Sequence, residues 1–89
     1  MGSDADPELT DAGRRQLIHA IAAVFEFRES DLRPDLVLGE IDGWDSMNAV
    51  NLTLELETAF GVELPGVILT ADQTITGVIT LLREHGATL

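Results

Sequence analysis

Apolar residues recur at three- and four-residue spacing in three stretches of the chain. Leu17, Ile18, Ile21, Val24 and Phe25, with Ala22, form one stripe. Such a stripe predicts an amphipathic helix over about residues 8–25. Asp6-Pro7-Glu8 reads as its start: an acidic cap, proline at the first helical position, an acid in the first turn. Gly13 is a weak point within it, because glycine costs about 1 kcal/mol relative to alanine in a helix. A second helix is predicted from Ser46 to about Phe60, with Asp45 before it and Gly61 after it. Val62-Glu63-Leu64-Pro65 connects to a short third helix over residues 66–71. A last helix runs from Ile75 to about Glu84, with Ile75, Val78, Ile79 and Leu82 inward, a start at Asp72-Gln73-Thr74 and a stop at Gly86. Nothing alternates with period two over a useful length, so no sheet is expected. The fold class is all-α, a small bundle of three main helices plus one short helix.

Residues 26–45 keep no steady period. They hold seven acids, Arg28, Arg33, Pro34, Gly39 and Gly43. Loops this long tend to be functional or disordered. Leu32, Leu36, Val37, Leu38 and Ile41 can pin this one to the core, so an ordered loop with a short helical turn is expected. Within 89 residues there is room for one core. The expected layout is a disordered tail at 1–6 (Met1-Gly2-Ser3 has the look of a cloning remnant), a single domain at 7–86 and a C-terminal tail at 87–89. With no cysteine, no disulfide or thiolate-bound metal holds the core. Sixteen acids against five arginines give a net charge of −11. That charge disfavours nucleic acid and anionic membrane and favours basic protein partners. It also suggests a monomer. No apolar run approaches a membrane span, and the N-terminus lacks a secretory layout, so a cytoplasmic location is expected.

The second helix has two apolar sectors. Ala49, Leu52, Leu56, Ala59 and Phe60 share one face, with Thr53 at its edge. Met47, Val50 and Leu54 share another, roughly 100° away. Asn48, Asn51, Glu55 and Thr58 fill the polar arc, and Glu57 falls beside Val50. Either Met47 and Val50 pack beneath the long loop and Trp44, or the second sector docks a partner. Met47 suits a contact surface because its side chain adapts in shape. Trp44 itself is either an anchor for the loop or a contact for a ligand.

Ser46 sits at the start of this helix. Taken alone, Asp45 and Ser46 are most simply read as caps. A nucleophilic serine needs a base and an oxyanion hole. His19 and His85 are the available histidines, and neither lies in a motif. No cluster has metal-ligand spacing. An EF-hand starting at Asp35 would place Val37 and Gly39 at ligand positions. The remaining role for Ser46 is as an acceptor: a helix N-terminus, with free N–H groups and the positive end of the dipole, suits a phosphate ester.

Asp45-Ser46-Met47 opens an amphipathic helix that continues Val50-Asn51-Leu52-Thr53-Leu54-Glu55-Leu56-Glu57 and ends Phe60-Gly61-Val62-Glu63-Leu64-Pro65. This string, in an acidic and cysteine-free frame, resembles the acyl carrier protein family over about residues 9–85. The resemblance implies an acyl-carrier-like bundle and a 4′-phosphopantetheine arm, derived from coenzyme A, on Ser46, with Asp45 as adjacent cap and recognition residue. It implies a non-catalytic carrier of acyl thioesters. It also implies a phosphopantetheinyl transferase as a partner, with acyltransferase, ketosynthase or acyl- or aminoacyl-activating enzymes. Met47, Val50, Leu54, Glu55, Glu57, Val67 and Ile68 are the expected partner-binding residues. Cargo would sit between the second and third helices near Leu52, Leu56, Ala59 and Ile68, or stay outside in water.

The chain also departs from the family pattern. Asn48 and Asn51 stand where acids are common, and Val67-Ile68-Leu69 is more apolar than the short helix of fatty-acid carriers. Trp44-Asp45-Ser46 is similar to stand-alone carriers of polyketide and mixed pathways. A dedicated carrier read through apolar contacts is therefore expected. One alternative is a peptidyl or aminoacyl carrier, whose site often reads Gly-Gly-His/Asp-Ser. Another, of a different class, is an unmodified helical protein-interaction module.

Overall fold

The computed structural model describes residues 9–89. The expected start at Asp6-Pro7 lies outside them. Three helices make the frame: α1 (Asp11–Ala22), α2 (Ser46–Phe60) and α3 (Ile75–Glu84). Two single-turn 3-10 helices, Glu29–Asp31 and Leu38–Glu40, interrupt the long loop. Among the described residues there is no strand beyond one isolated bridge, Val37 to Thr74.

α1 is shorter than its stripe predicts. Thr10 caps it, its hydroxyl accepting from the Gly13 N–H at 2.9 Å. Leu17 and Ile21 are buried as expected, whereas Ala20 rather than Ala22 completes the inward face. Ile18 and Val24 are half-buried against the core. Beyond Ala22 the chain leaves the helix, and Phe25 still turns inward with its N–H on the Ile21 carbonyl at 2.9 Å.

The long loop is ordered by its leucines. Leu32, Leu36, Leu38 and Ile41 are buried, and Val37 is half-buried. Residues 34–39 lie alongside residues 71–76, with Leu38 N–H on the Gln73 carbonyl and Gly39 N–H on the Ala71 carbonyl, both at 2.8 Å. In return, Ile75 N–H reaches the Leu36 carbonyl and Thr76 N–H the Pro34 carbonyl, both at 3.0 Å. These bonds satisfy backbone that a long loop would otherwise leave to water.

α2 begins and ends where the sequence predicts. Gly61, left-handed at φ 66°, closes it with its N–H on the Glu57 carbonyl. Ala49, Leu52, Thr53 and Leu56 face the core. Gln16 Nε2 ties α1 to the last turn of α2 at the Ala59 carbonyl, 2.9 Å away.

The short third helix expected at residues 66–71 does not form; the chain there is irregular. Two local bonding patterns compete with it. Gly66 turns left-handed at φ 74° directly after Pro65. Downstream, the Thr70 N–H goes to Gln73 Oε1 at 2.8 Å and its hydroxyl to Asp72 Oδ1 at 2.6 Å. Side-chain acceptors of this kind divert backbone donors from a helix. Within the stretch, Leu69 is buried, Val67 half-buried and Ile68 exposed.

α3 follows its predicted pattern, capped by Thr74 and burying Ile75, Val78, Ile79 and Leu82. Gly86 is left-handed just beyond it. Past the helix, Leu89 is buried and its backbone lies against Gly13. The core is aliphatic, with Phe25 its one buried aromatic among the described residues. No helix among these residues is long and apolar enough to cross a membrane.

Candidate functional site

The first turn of α2 is assembled from the three residues before it and from two asparagines within it. Gly43 takes a positive φ of 91°, turning the chain out of the loop. Trp44 is half-buried and stacks on Phe25 with ring centroids 5.7 Å apart and planes 13° from parallel. This is the anchoring arrangement of the two read for Trp44. Asp45 is extended, and its Oδ1 accepts from the Asn48 N–H at 2.8 Å. Asn48 Nδ2 then donates back to the Gly43 carbonyl at 3.0 Å. Asn51 Nδ2 donates to Asn48 Oδ1 at 3.4 Å. The two asparagines thus brace the entry to the helix.

Asp45 performs the capping, so the Ser46 hydroxyl is not needed for it. Ser46 is exposed, and its hydroxyl makes no hydrogen bond to another described residue. The N–H groups of Ser46 and Met47 belong to the first turn, which has no intrahelical acceptors, and no described residue takes them. No acid stands within the first turn of the helix itself. A free hydroxyl, unpaired N–H donors and the positive dipole end are what a phosphate ester on Ser46 requires. The site fits a phosphate-linked group.

The histidines stand apart from it. His19 is exposed on α1. His85 follows α3, with Nδ1 2.9 Å from the Leu81 carbonyl. Neither contacts Ser46, so no Ser-His pair is formed. Among the described residues no acid-histidine group has the arrangement of a metal site.

The second apolar sector of α2 lies in the open. Met47 is 70% exposed, Val50 59% and Leu54 55%, and Ile68 opposite them is 78% exposed. They do not pack beneath the loop. Glu55 is half-buried. Glu57 is also half-buried, its Oε2 accepting from the Leu64 N–H at 2.7 Å. Between α2 and residues 64–69 runs a groove of about 180 Å³, beginning at Ser46 and walled by Val50, Thr53, Leu54, Val67 and Ile68. Of the residues expected around a cleft here, Ile68 lines it. Leu52 and Leu56 are sealed in the core, and Ala59 is half-buried against that core. Thr53 is the lining residue that helical angle alone assigned to the core edge. A hydroxyl residue set between Leu52 and Leu54, at the border of the two apolar sectors, was the available signal.

Residues 15–82, from α1 to nearly the end of α3, match the family described as the phosphopantetheine attachment site. Comparisons with curated proteins and with solved structures give no match. With most of its length covered by that match, the chain belongs to the phosphopantetheine attachment family and is a carrier protein whose prosthetic group is 4′-phosphopantetheine.

Proposed function

We propose that this chain is an acyl carrier protein with its arm on Ser46, passing acyl thioesters among enzymes of polyketide or other secondary metabolism. The observation that supports this best is the exposed Ser46 hydroxyl, without a partner among the described residues, one residue after the cap that Asp45 supplies. When bound, the group supplies a terminal thiol at the end of a flexible chain. In a chain without cysteine that thiol has no rival within the molecule.

Loading forms a phosphodiester. Ser46 Oγ displaces the nucleotide portion of coenzyme A at phosphorus and gives its proton to a base on the transferase. The N–H groups of Ser46 and Met47 would hold a phosphate on that oxygen, with the Asp45 cap keeping the turn closed. Asp45 is also read as a recognition residue for the transferase. The open apolar residues Met47, Val50, Leu54 and Ile68, with Val67 and Glu55 at their margin, are the surface offered to partner enzymes. Glu57 serves it indirectly, by fixing Leu64 and hence the connector. That surface, together with Trp44-Asp45-Ser46, is why a dedicated pathway is favoured over general fatty-acid synthesis.

Incubation with coenzyme A and a promiscuous phosphopantetheinyl transferase tests the attachment. The wild type is expected to gain the mass of one arm, and Ser46→Ala to gain none. No gain with several transferases overturns the reading in favour of an unmodified interaction module.

A further inference from the structure

Thr53 is a buried residue in the wall of the groove that starts at Ser46. Its hydroxyl hydrogen is committed to the Ala49 carbonyl at 3.0 Å. A threonine oxygen has acceptor capacity beyond that one donated bond. No described residue donates to it. The other carboxyl or hydroxyl oxygens of the wall are Ser46 itself and Glu57, whose carboxylate already holds the Leu64 N–H. Around Thr53 the wall is Val50, Leu54, Val67 and Ile68. An acceptor in apolar surroundings gains more from a donor than one in water does.

Ser46 and Thr53 lie on nearly the same line of α2, seven residues being close to two turns, with about 10 Å of rise between them. An extended chain covers ~3.5 Å for every three bonds, so an arm on Ser46 Oγ brings its first amide nitrogen to a reach of ~8 Å and its second to ~13 Å. The two amides bracket the position of Thr53. We propose that the arm rests along the α2 groove with one amide N–H donating to the Thr53 hydroxyl, a placement that depends on Ser46 being the attachment point. The arm's apolar carbons then cover Val50 and Leu54.

Amide hydrogen exchange of the arm, followed by NMR on holo protein loaded with nitrogen-15 pantetheine, tests this. In the wild type one arm amide is expected to exchange about fivefold more slowly than in free pantetheine, the protection given by one net hydrogen bond. Thr53→Val, which keeps the shape and removes the acceptor, is expected to abolish that protection. Thr53→Ser is expected to retain it. The melting temperature of apo Thr53→Val should stay near the wild-type value, so that lost protection reports the arm and not the fold. Holo wild type whose arm amides exchange at the free rate, or Thr53→Val that keeps the protection, overturns this placement and leaves Ser46 as the attachment point. Failure of the wild type to load at all overturns both.

Discussion

Asp45 and Ser46 are adjacent and both polar, yet they carry different tasks. Asp45 Oδ1 takes the Asn48 N–H, and the serine oxygen is left over. Removing the cap should therefore cost stability without removing the acceptor. Asp45→Ala is expected to lower the unfolding free energy by about 1 kcal/mol in urea denaturation. Asp45→Asn and Asp45→Ser, which keep a capping oxygen, should recover most of it. Any loading defect that persists in Asp45→Asn then reports recognition by the transferase. Gly39 is a second residue whose identity is fixed by its neighbour. A Cβ there would lie 2.8 Å from Ala71 Cβ and 3.0 Å from the Ala71 carbonyl oxygen. Gly39→Ala should push residues 37–39 off residues 71–74 and cost about 1–3 kcal/mol. An unchanged denaturation midpoint would show that the two segments part easily.

At the level of elements, α2 presents opposite consequences on its two faces. Leu56 is fully buried and Leu54 is open. Leu56→Ala should cost about 2–5 kcal/mol, the range for truncating a core leucine. Leu54→Asp should leave the thermal transition close to wild type while slowing transfer to a partner enzyme. A large loss of stability in Leu54→Asp would mean that the residue belongs to the core after all. The three main helices were legible because each carries a stripe and a stop: Gly61 ends α2 and Gly86 follows α3, both left-handed. The segment after Pro65 was not legible as an irregular one. Its composition suits a short helix, and what decides against it is side-chain competition for backbone donors at Thr70 and a turn at Gly66, both dependent on contacts three residues away. The same limit applied to the site. The position of Ser46 before an amphipathic run could be read directly. The groove beside it could not, because its far wall is that irregular segment. Leu52 and Leu56, expected at a cleft, are core residues, because the groove opens on the Val50 and Leu54 side of α2.

Across the whole molecule, charge and contact surface separate. The chain carries −11, and two of its five arginines sit in exposed ion pairs, Arg14 with Glu29 at 3.8 Å and Arg33 with Glu40 at 3.9 Å. Exposed pairs of this kind contribute about 0–1 kcal/mol each. Most of the acidic charge therefore acts as a diffuse field. The surface next to Ser46 is a different matter, with Met47, Val50, Leu54 and Ile68 in the open and amides rather than acids at Asn48 and Asn51. A field of this sort raises the rate of encounter with basic partners, and salt removes that part. Apolar contact made after encounter is not screened. Raising salt from about 0.1 M to 1 M shortens the screening length from ~10 Å to ~3 Å. Over that range kcat/KM for transfer from the loaded carrier to its cognate enzyme should fall by about tenfold, the low end of what lost steering costs, because amides rather than acids flank Ser46 at Asn48 and Asn51. The unfolding midpoint should rise over the same range, because screening relieves self-repulsion of the folded chain. A fall of about a hundredfold or more in kcat/KM would place the recognition energy in salt bridges, and the open apolar sector of α2 would then need another explanation.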